Sequence, residues 1–279
     1  MTERDDGIKL SVLSLGVGVQ STTLALMAAH GELDDPIDVA IFADTGCEPR
    51  PVYEQLKWLT SGNVKLPFQV HVVSAGSLSQ EIRDAVAGDA KSHGRPPLFV
   101  RNPDGSAGMI RRQCTGDYKI DPIRKKVRDL LGLVPRQHAP RYPVVEQVIG
   151  ISLDEKQRAK DASERWIQNR WPLIEKGMTR WDCYAWLERH GYPIPPKSAC
   201  TICPMRSNTE WRWLKDNDPV GWAEAVEIDN LVRSGMKNLK AEEVFLHRSL
   251  VPLAEVDLSN LSDFHDDLFD DECQGMCGL

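Results

Sequence analysis

Short apolar runs, each closed by a turn-forming cluster, organise the first 150 residues. Residues 9–15 (Lys-Leu-Ser-Val-Leu-Ser-Leu) read as a buried strand, and a glycine-rich turn then leads into an apolar helix from Ser21-Thr22 to about His30. Asp38 to Ala43 is a second strand that ends on Asp44-Thr45-Gly46, and the stretch from Pro51 to about Leu59 is helical. Phe68 to Val73 is a third strand with a helix after Ser77, a further helix starts near Asp121-Pro122, and Val144 to Ile151 is a fourth strand. Strand and helix alternating at this spacing predict a Rossmann-like α/β fold, a parallel sheet flanked by crossover helices. Residues His93 to Gly108, rich in Gly, Pro and Asn, read as a long loop over the site.

Beyond about Trp171 the pattern changes to short helices carrying Trp181, Trp186, Trp211, Trp213 and Trp222. Three segments are therefore expected: a nucleotide-binding α/β domain over 1–175, a helical, Cys-rich region over 176–258, and an acidic flexible tail over 259–279. With 279 residues, 41% of them hydrophobic, the chain can bury a sizeable core. No apolar run approaches the roughly 20 residues of a membrane span, and the charged start lacks a signal peptide's apolar segment, so a cytoplasmic protein without a membrane partner is expected. The net charge is −7, but eight acidic residues and no Lys or Arg lie between Glu255 and Leu279, which leaves the rest close to neutral. Arg111, Arg112, Lys119, Arg124, Lys125, Lys126 and Arg128 form a basic concentration, either a solvated helix face or an anion-binding stretch.

The glycine-rich turn, Ser14-Leu15-Gly16-Val17-Gly18-Val19-Gln20-Ser21-Thr22, joins a strand to a helix. Glycines let the backbone approach an anion, and helix-start N–H groups with Ser and Thr hydroxyls supply donors for phosphate. It is neither the P-loop, for no Gly-Lys-Ser/Thr occurs, nor the full dinucleotide G-x-G-x-x-G. Asp44, Thr45 and Gly46 end the neighbouring strand, so both loops should line one crevice at the carboxyl edge of the sheet.

Seven cysteines in a reducing compartment point to metal or catalysis before disulfides. Cys200 and Cys203 form a C-x-x-C, with Cys114 and Cys183 upstream; such a set holds zinc or an iron–sulfur cluster, or stays as reduced thiols. Cys183 could equally be a buried helix residue. Cys273 and Cys277 close the chain, as a redox pair, a reactive tail or a plain end.

Taken together these motifs resemble the phosphoadenosine phosphosulfate (PAPS) reductase family of the adenine nucleotide α-hydrolase group. Gly16-Val17-Gly18-Val19-Gln20-Ser21 stands where that family has Ser-Gly-Gly-x-Asp-Ser, with Gln20 in place of Asp. Asp44-Thr45-Gly46 matches its Asp-Thr-Gly, and Arg112 through Pro122 matches its Arg-x-Cys-x-x-x-x-Lys-x-x-Pro. Gly150 through Arg158 resembles its Gly-[IL]-Arg-x-x-Glu-Ser-x-x-Arg, with Ser152 where Arg is usual. Similarity covers most of residues 9–204.

The resemblance implies ATP or a sulfonucleotide (adenylylsulfate, APS, or PAPS) as ligand, with Mg²⁺ as an option. Ser14, Gly16, Gly18, Gln20, Ser21, Thr22, Asp44, Thr45, Gly46 and Gly150 would then surround the nucleotide. Arg112, Lys119 and Arg158 would neutralise phosphate or sulfate. Cluster-bearing adenylylsulfate reductases carry a Cys-Cys pair where this chain has Cys114-Thr115, and a downstream Cys-x-x-Cys. A [4Fe-4S] cluster on Cys114, Cys200 and Cys203 is therefore expected, with Cys183 as fourth ligand or that iron left open. The family's tail ends Glu-Cys-Gly-Leu-His, similar to Met276-Cys277-Gly278-Leu279, which makes Cys277 a candidate nucleophile or persulfide carrier. The activity implied is adenylation of an acceptor followed by sulfur insertion, as in sulfurtransferase relatives of the DNA-phosphorothioation type. One alternative is APS or PAPS reduction to sulfite through Cys277. Another is a non-catalytic, redox-sensing regulator that binds nucleic acid. A thioredoxin-like or cysteine desulfurase-like donor is the expected partner, with a nucleic-acid substrate and a homodimer left open.

Overall fold

The computed structural model describes residues 7–88, 96–234 and 241–259. Its centre is a five-stranded, wholly parallel sheet in the order β3-β2-β1-β6-β7. Along the chain, β1 (Leu10–Ser14), α1 (Val19–Ala29), β2 (Val39–Asp44), α2 (Arg50–Thr60), β3 (Gln69–Ser74) and α3 (Leu78–Ala87) form the first half. Two short strands, β4 (Phe99–Arg101) and β5 (Ala107–Met109), precede α4 (Asp121–Leu130), β6 (Val145–Ile149) and β7 (Ile167–Arg170). The rest is α5 (Pro172–Glu175), α6 (Arg180–Arg189), α7 (Asn208–Asn217), α8 (Pro219–Val232) and β8 (Glu243–Phe245). This is the Rossmann-like α/β arrangement that the strand–helix alternation predicts.

All five residues of β1 and of β6 are buried, as expected of strands covered on both faces by helices. Buried polar residues within them bond one another: Ser11 donates to Glu146 at 3.0 Å, and Gln147 donates to Ser14. Helix starts follow local chemistry. Thr179 with Asp182 and Ser207 with Glu210 form reciprocal capping boxes on α6 and α7, each cap contributing about 1 kcal/mol.

The chain runs outward from β1 through β2 to β3, and the later strands β6 and β7 are added on the other side. The direction of winding therefore reverses between β1 and β6, where a crevice opens at the carboxyl ends of the strands.

Two features differ from the sequence reading. The stretch assigned to a long loop contains β4 and the start of β5; β4 pairs with both β5 and β8 in a second, antiparallel sheet (Val100 opposite Gly108 and Val244). Strands of three residues are too short to show alternation. The strand β7 also went unread, because Ile167-Gln168-Asn169-Arg170 has one apolar residue in four. Of the helices after residue 175, α6 packs into the core of the sheet, where Cys183, Trp186 and Leu187 join α1 and β1, while α7 and α8 share another core with α3, β4 and β8. The tail from residue 260, including Cys273 and Cys277, lies outside the described residues. No helix among the described residues is long and apolar enough to cross a membrane.

Candidate functional site

The turn after β1 is built on a strained residue. Val17 has φ +62°, a left-handed conformation that β-branched side chains rarely adopt. Gly18 follows in extended conformation as the N-cap of α1, with no side-chain cap and no acidic residue in the first turn. The first N–H groups of α1 therefore present the positive end of its dipole with no acidic residue in the same turn. Thr22 adds a buried hydroxyl with no hydrogen-bond partner. Ser14, Leu15, Gly16, the end of β2, Lys119, Ile123 and Ser198 enclose a small crevice. Such an end receives an anion by general electrostatics.

Gln20 has a different task. It is fully buried, and its amide donates to Ser152 at 3.1 Å and to Glu155 at 2.8 Å. Two of the positions at which the motifs depart from the family they resemble, Gln20 and Ser152, are thus bonded to each other. Arg158 and Arg180 also reach Glu155, at 2.9 and 3.8 Å. Gln20 accordingly ties the turn after β1 to the segment after β6, within which Arg158 pairs with Glu155. Gly150 lies buried at the end of β6.

At the end of β2, Asp44 accepts from Gly46 N and from Tyr53 Oη, both at 2.8 Å, and so shapes the turn. Burial and that bond hold the Tyr53 hydroxyl well above its ordinary pKa. Gly46 (φ +69°) has no room for a side chain, since a Cβ would lie 2.7 Å from Ser77 Cα. Thr45 points to sulfur: its Oγ1 is 3.4 Å from Cys47 Sγ and 3.2 Å from Cys200 Sγ, and it donates to Glu48 at 3.1 Å.

Cys114, Cys200 and Cys203 line one cavity together with Thr45, Arg112, Thr115 and Lys119. Their carriers are a loop and a modified helix. Thr201 N donates to Cys47 O at 2.7 Å, and Arg206 clamps the carbonyls of Ala199 and Cys200. Before α4, Gly116–Ile120 is wound as a π-helix, closed by Asp121 N–H to Gly116 O. Pro122 lacks the N–H that would bond Tyr118 O, which favours this widening. The π turn buries Lys119, whose Nζ pairs with the buried Glu48 at 3.7 Å.

A fourth thiol, Cys47, adjoins this cavity through Thr45, whose Oγ1 contacts the Sγ atoms of both Cys47 and Cys200. Cys47 is hydrogen-bonded to Cys200, and this bond, then burial, pushes the Cys200 thiol well above its ordinary range, with Lys119 pulling the other way. Cys183 instead sits in the α1–α6 core, fully buried, its thiol pushed up to about 12 by burial. The sequence reading passed over Cys47 because it pairs with no nearby cysteine. Its place directly behind Asp44-Thr45-Gly46, at a strand end, was the usable signal.

Four thiols are the donor chemistry of zinc and of iron–sulfur clusters. Zinc would draw its thiolates to about 3.8 Å from one another. Among the described residues, no three of these thiols have their sulfurs within 4.8 Å. The donor set suits a zinc ion held by four cysteines and a [4Fe-4S] cluster alike.

The basic stretch is not one surface. Lys119 is buried, Arg124 bonds Ser163 and Glu164, and Arg128 donates to Gln137 O, while Ile123 and Val127 pack on the sheet. In comparisons with known proteins, the chain matches no family model and no curated sequence.

Proposed function

We propose that the chain is an adenine-nucleotide-dependent sulfur-transfer enzyme of the PAPS reductase type. One observation carries the reading: Lys119 is a common wall of the crevice at the glycine turn and of the cavity lined by Cys114, Cys200 and Cys203. An anion held at the start of α1 and a sulfur held by the thiols would therefore sit on either side of one buried cation. The motif resemblance over residues 9–204 supports the nucleotide as that anion.

In the proposed reaction an acceptor oxygen attacks the α-phosphorus of ATP, forming a P–O bond while pyrophosphate leaves with the electron pair of the broken P–O bond. Sulfide-level sulfur from an external donor then forms a bond to the activated carbon, and AMP departs with the C–O electrons. The uncapped N–H groups of α1, with Thr22, orient the phosphates. Lys119, together with Arg112 at the cavity wall, offsets the charge that develops on the departing group. Cys47, Cys114, Cys200 and Cys203 would hold a [4Fe-4S] cluster, which when bound would supply a sulfur-binding, redox-active centre.

The test is pyrophosphate–ATP exchange and AMP formation by anaerobically purified protein, run beside sulfite release from APS and PAPS. Exchange without sulfite release supports sulfur transfer. Sulfite release without exchange replaces it with the reductase reading. Tight, salt-sensitive DNA binding with neither activity replaces it with the regulatory one.

A further inference from the structure

A second cluster of ligating side chains lies at the other end of α1. Its N-terminus faces the crevice, and 11 residues of helix rise about 16 Å to its C-cap, His30. There His30 meets Glu32 and His190, the C-cap of α6, with one ligating atom of each within 4.8 Å of the others. Among the described residues this is the only such set of three His, Cys, Asp or Glu groups.

Each of the three is oriented through its other polar atom. His190 Nδ1 donates to Trp186 O at 2.8 Å, which leaves the Nε2 lone pair facing Glu32 Oε1 at 3.7 Å. Trp186 Nε1 donates to Glu32 Oε2 at 2.8 Å, which leaves Oε1 toward His190. His30 Nε2 lies 2.8 Å from Tyr192 Oη; with Nε2–H donating there, Nδ1 carries the lone pair. Trp186 is buried and stacks on the His190 ring at 4.0 Å, so the residue that holds two of the ligands is itself fixed. An imidazole whose second nitrogen bonds a carbonyl or hydroxyl is the arrangement that metal-ligating histidines adopt.

The helix ends supply an independent argument. Both histidines cap the C-termini of helices, where unsatisfied carbonyls concentrate negative partial charge, and α1 has no basic residue in its last turn. The carbonyl end of α1 thus favours a cation, while the last turn of α6 already carries Arg189.

We propose that His30, Glu32 and His190 form a binding site for a borderline divalent ion, zinc or a neighbouring first-row metal, which staples the ends of α1 and α6. Two nitrogens and one carboxylate oxygen at about 2.0–2.2 Å from the ion suit such metals. The exposure of His30 and Glu32 leaves the remaining position to solvent and makes the ion exchangeable. This site is separate from the thiol-lined cavity and does not depend on its reading.

The experiment is a Co²⁺ and Zn²⁺ titration of the chelator-stripped full chain beside a His30→Gln/His190→Gln variant, with all cysteines present in both. Wild type is expected to bind one more ion per chain than the variant, the extra ion showing no thiolate-to-cobalt charge-transfer band. Zn²⁺ is expected to raise the Tm of wild type further than that of the variant. Equal stoichiometry and equal Tm shifts overturn the proposal. Should the variant not fold, histidine ring ¹⁵N spectra of wild type decide: Zn²⁺ must move both His30 Nδ1 and His190 Nε2, and unmoved rings overturn it.

Discussion

Thr45 Oγ1, just beyond β2, lies 3.4 Å from Cys47 Sγ and 3.2 Å from Cys200 Sγ, so one hydroxyl meets both thiols. Metal binding would displace the thiol protons, because thiolates are the ligating form. Anaerobically purified wild type is expected to carry iron and sulfide. Cys47→Ala should lose most of both, as should Cys200→Ala, while Cys183→Ala keeps them. Iron content that tracks Cys183 and ignores Cys47 would remove Cys47 from the ligand set.

Cys183 makes the complementary prediction. Its thiol stays neutral in the folded chain up to about pH 12, against an ordinary value of 9.0. The folded state therefore holds a proton that the unfolded chain releases. The stabilisation from the neutral buried thiol is fully present below pH 9 and is lost as pH rises toward 12. The stability of wild type relative to Cys183→Ala should be flat up to about pH 8.5 and then fall by about 1.4 kcal/mol per pH unit. Chemical denaturation at several pH values measures this, and a flat difference to pH 11 contradicts it.

The α/β core was legible because each long element carries one clear period. The strands from Leu10 and Val145 are short apolar-rich segments closed by turn residues, and the helix from Leu78 is announced by Ser77, whose hydroxyl accepts from Gln80 N. Residues 99–101 and 107–109 were illegible for the opposite reason: three-residue strands are set by pairing with distant partners such as Val244. The site divided along the same line. The glycine turn and Cys200-x-x-Cys203 are local patterns. Cys47, Glu48 and the role of Gln20 depend on which loops the sheet brings together, and no spacing encodes that.

Lys119 and Glu48 are both buried and 3.7 Å apart, so each offsets the other's loss of water. Lys119→Met should destabilise the chain by about 3 kcal/mol, since it leaves a buried carboxylate unpaired. Adding Glu48→Gln should recover much of that stability. Nucleotide binding should not return with it, because the cation facing the crevice is still absent. A urea midpoint and an ATP titration on the single and double variants separate the two effects. Recovery of both together would make Lys119 a structural residue only.

Val17 allows a test in which the usual ranking reverses. In most positions Ala is more stable than Gly by roughly 0.5–1 kcal/mol, because glycine loses more backbone entropy on folding. At φ +62° an L-residue pays roughly 1–2 kcal/mol that glycine does not. The Val17 side chain is fully buried, so both Val17→Ala and Val17→Gly lose packing, and their comparison isolates the backbone. Val17→Gly is expected to be at least as stable as Val17→Ala, by up to about 1 kcal/mol. The strain belongs to the turn that sets the first N–H groups of α1, so a freer backbone there should weaken anion binding even as stability rises. Phosphate and ATP affinities measured beside the denaturation curves would show the two moving in opposite directions. A Val17→Gly chain that is less stable than Val17→Ala by the ordinary margin would mean that the turn is not strained in solution.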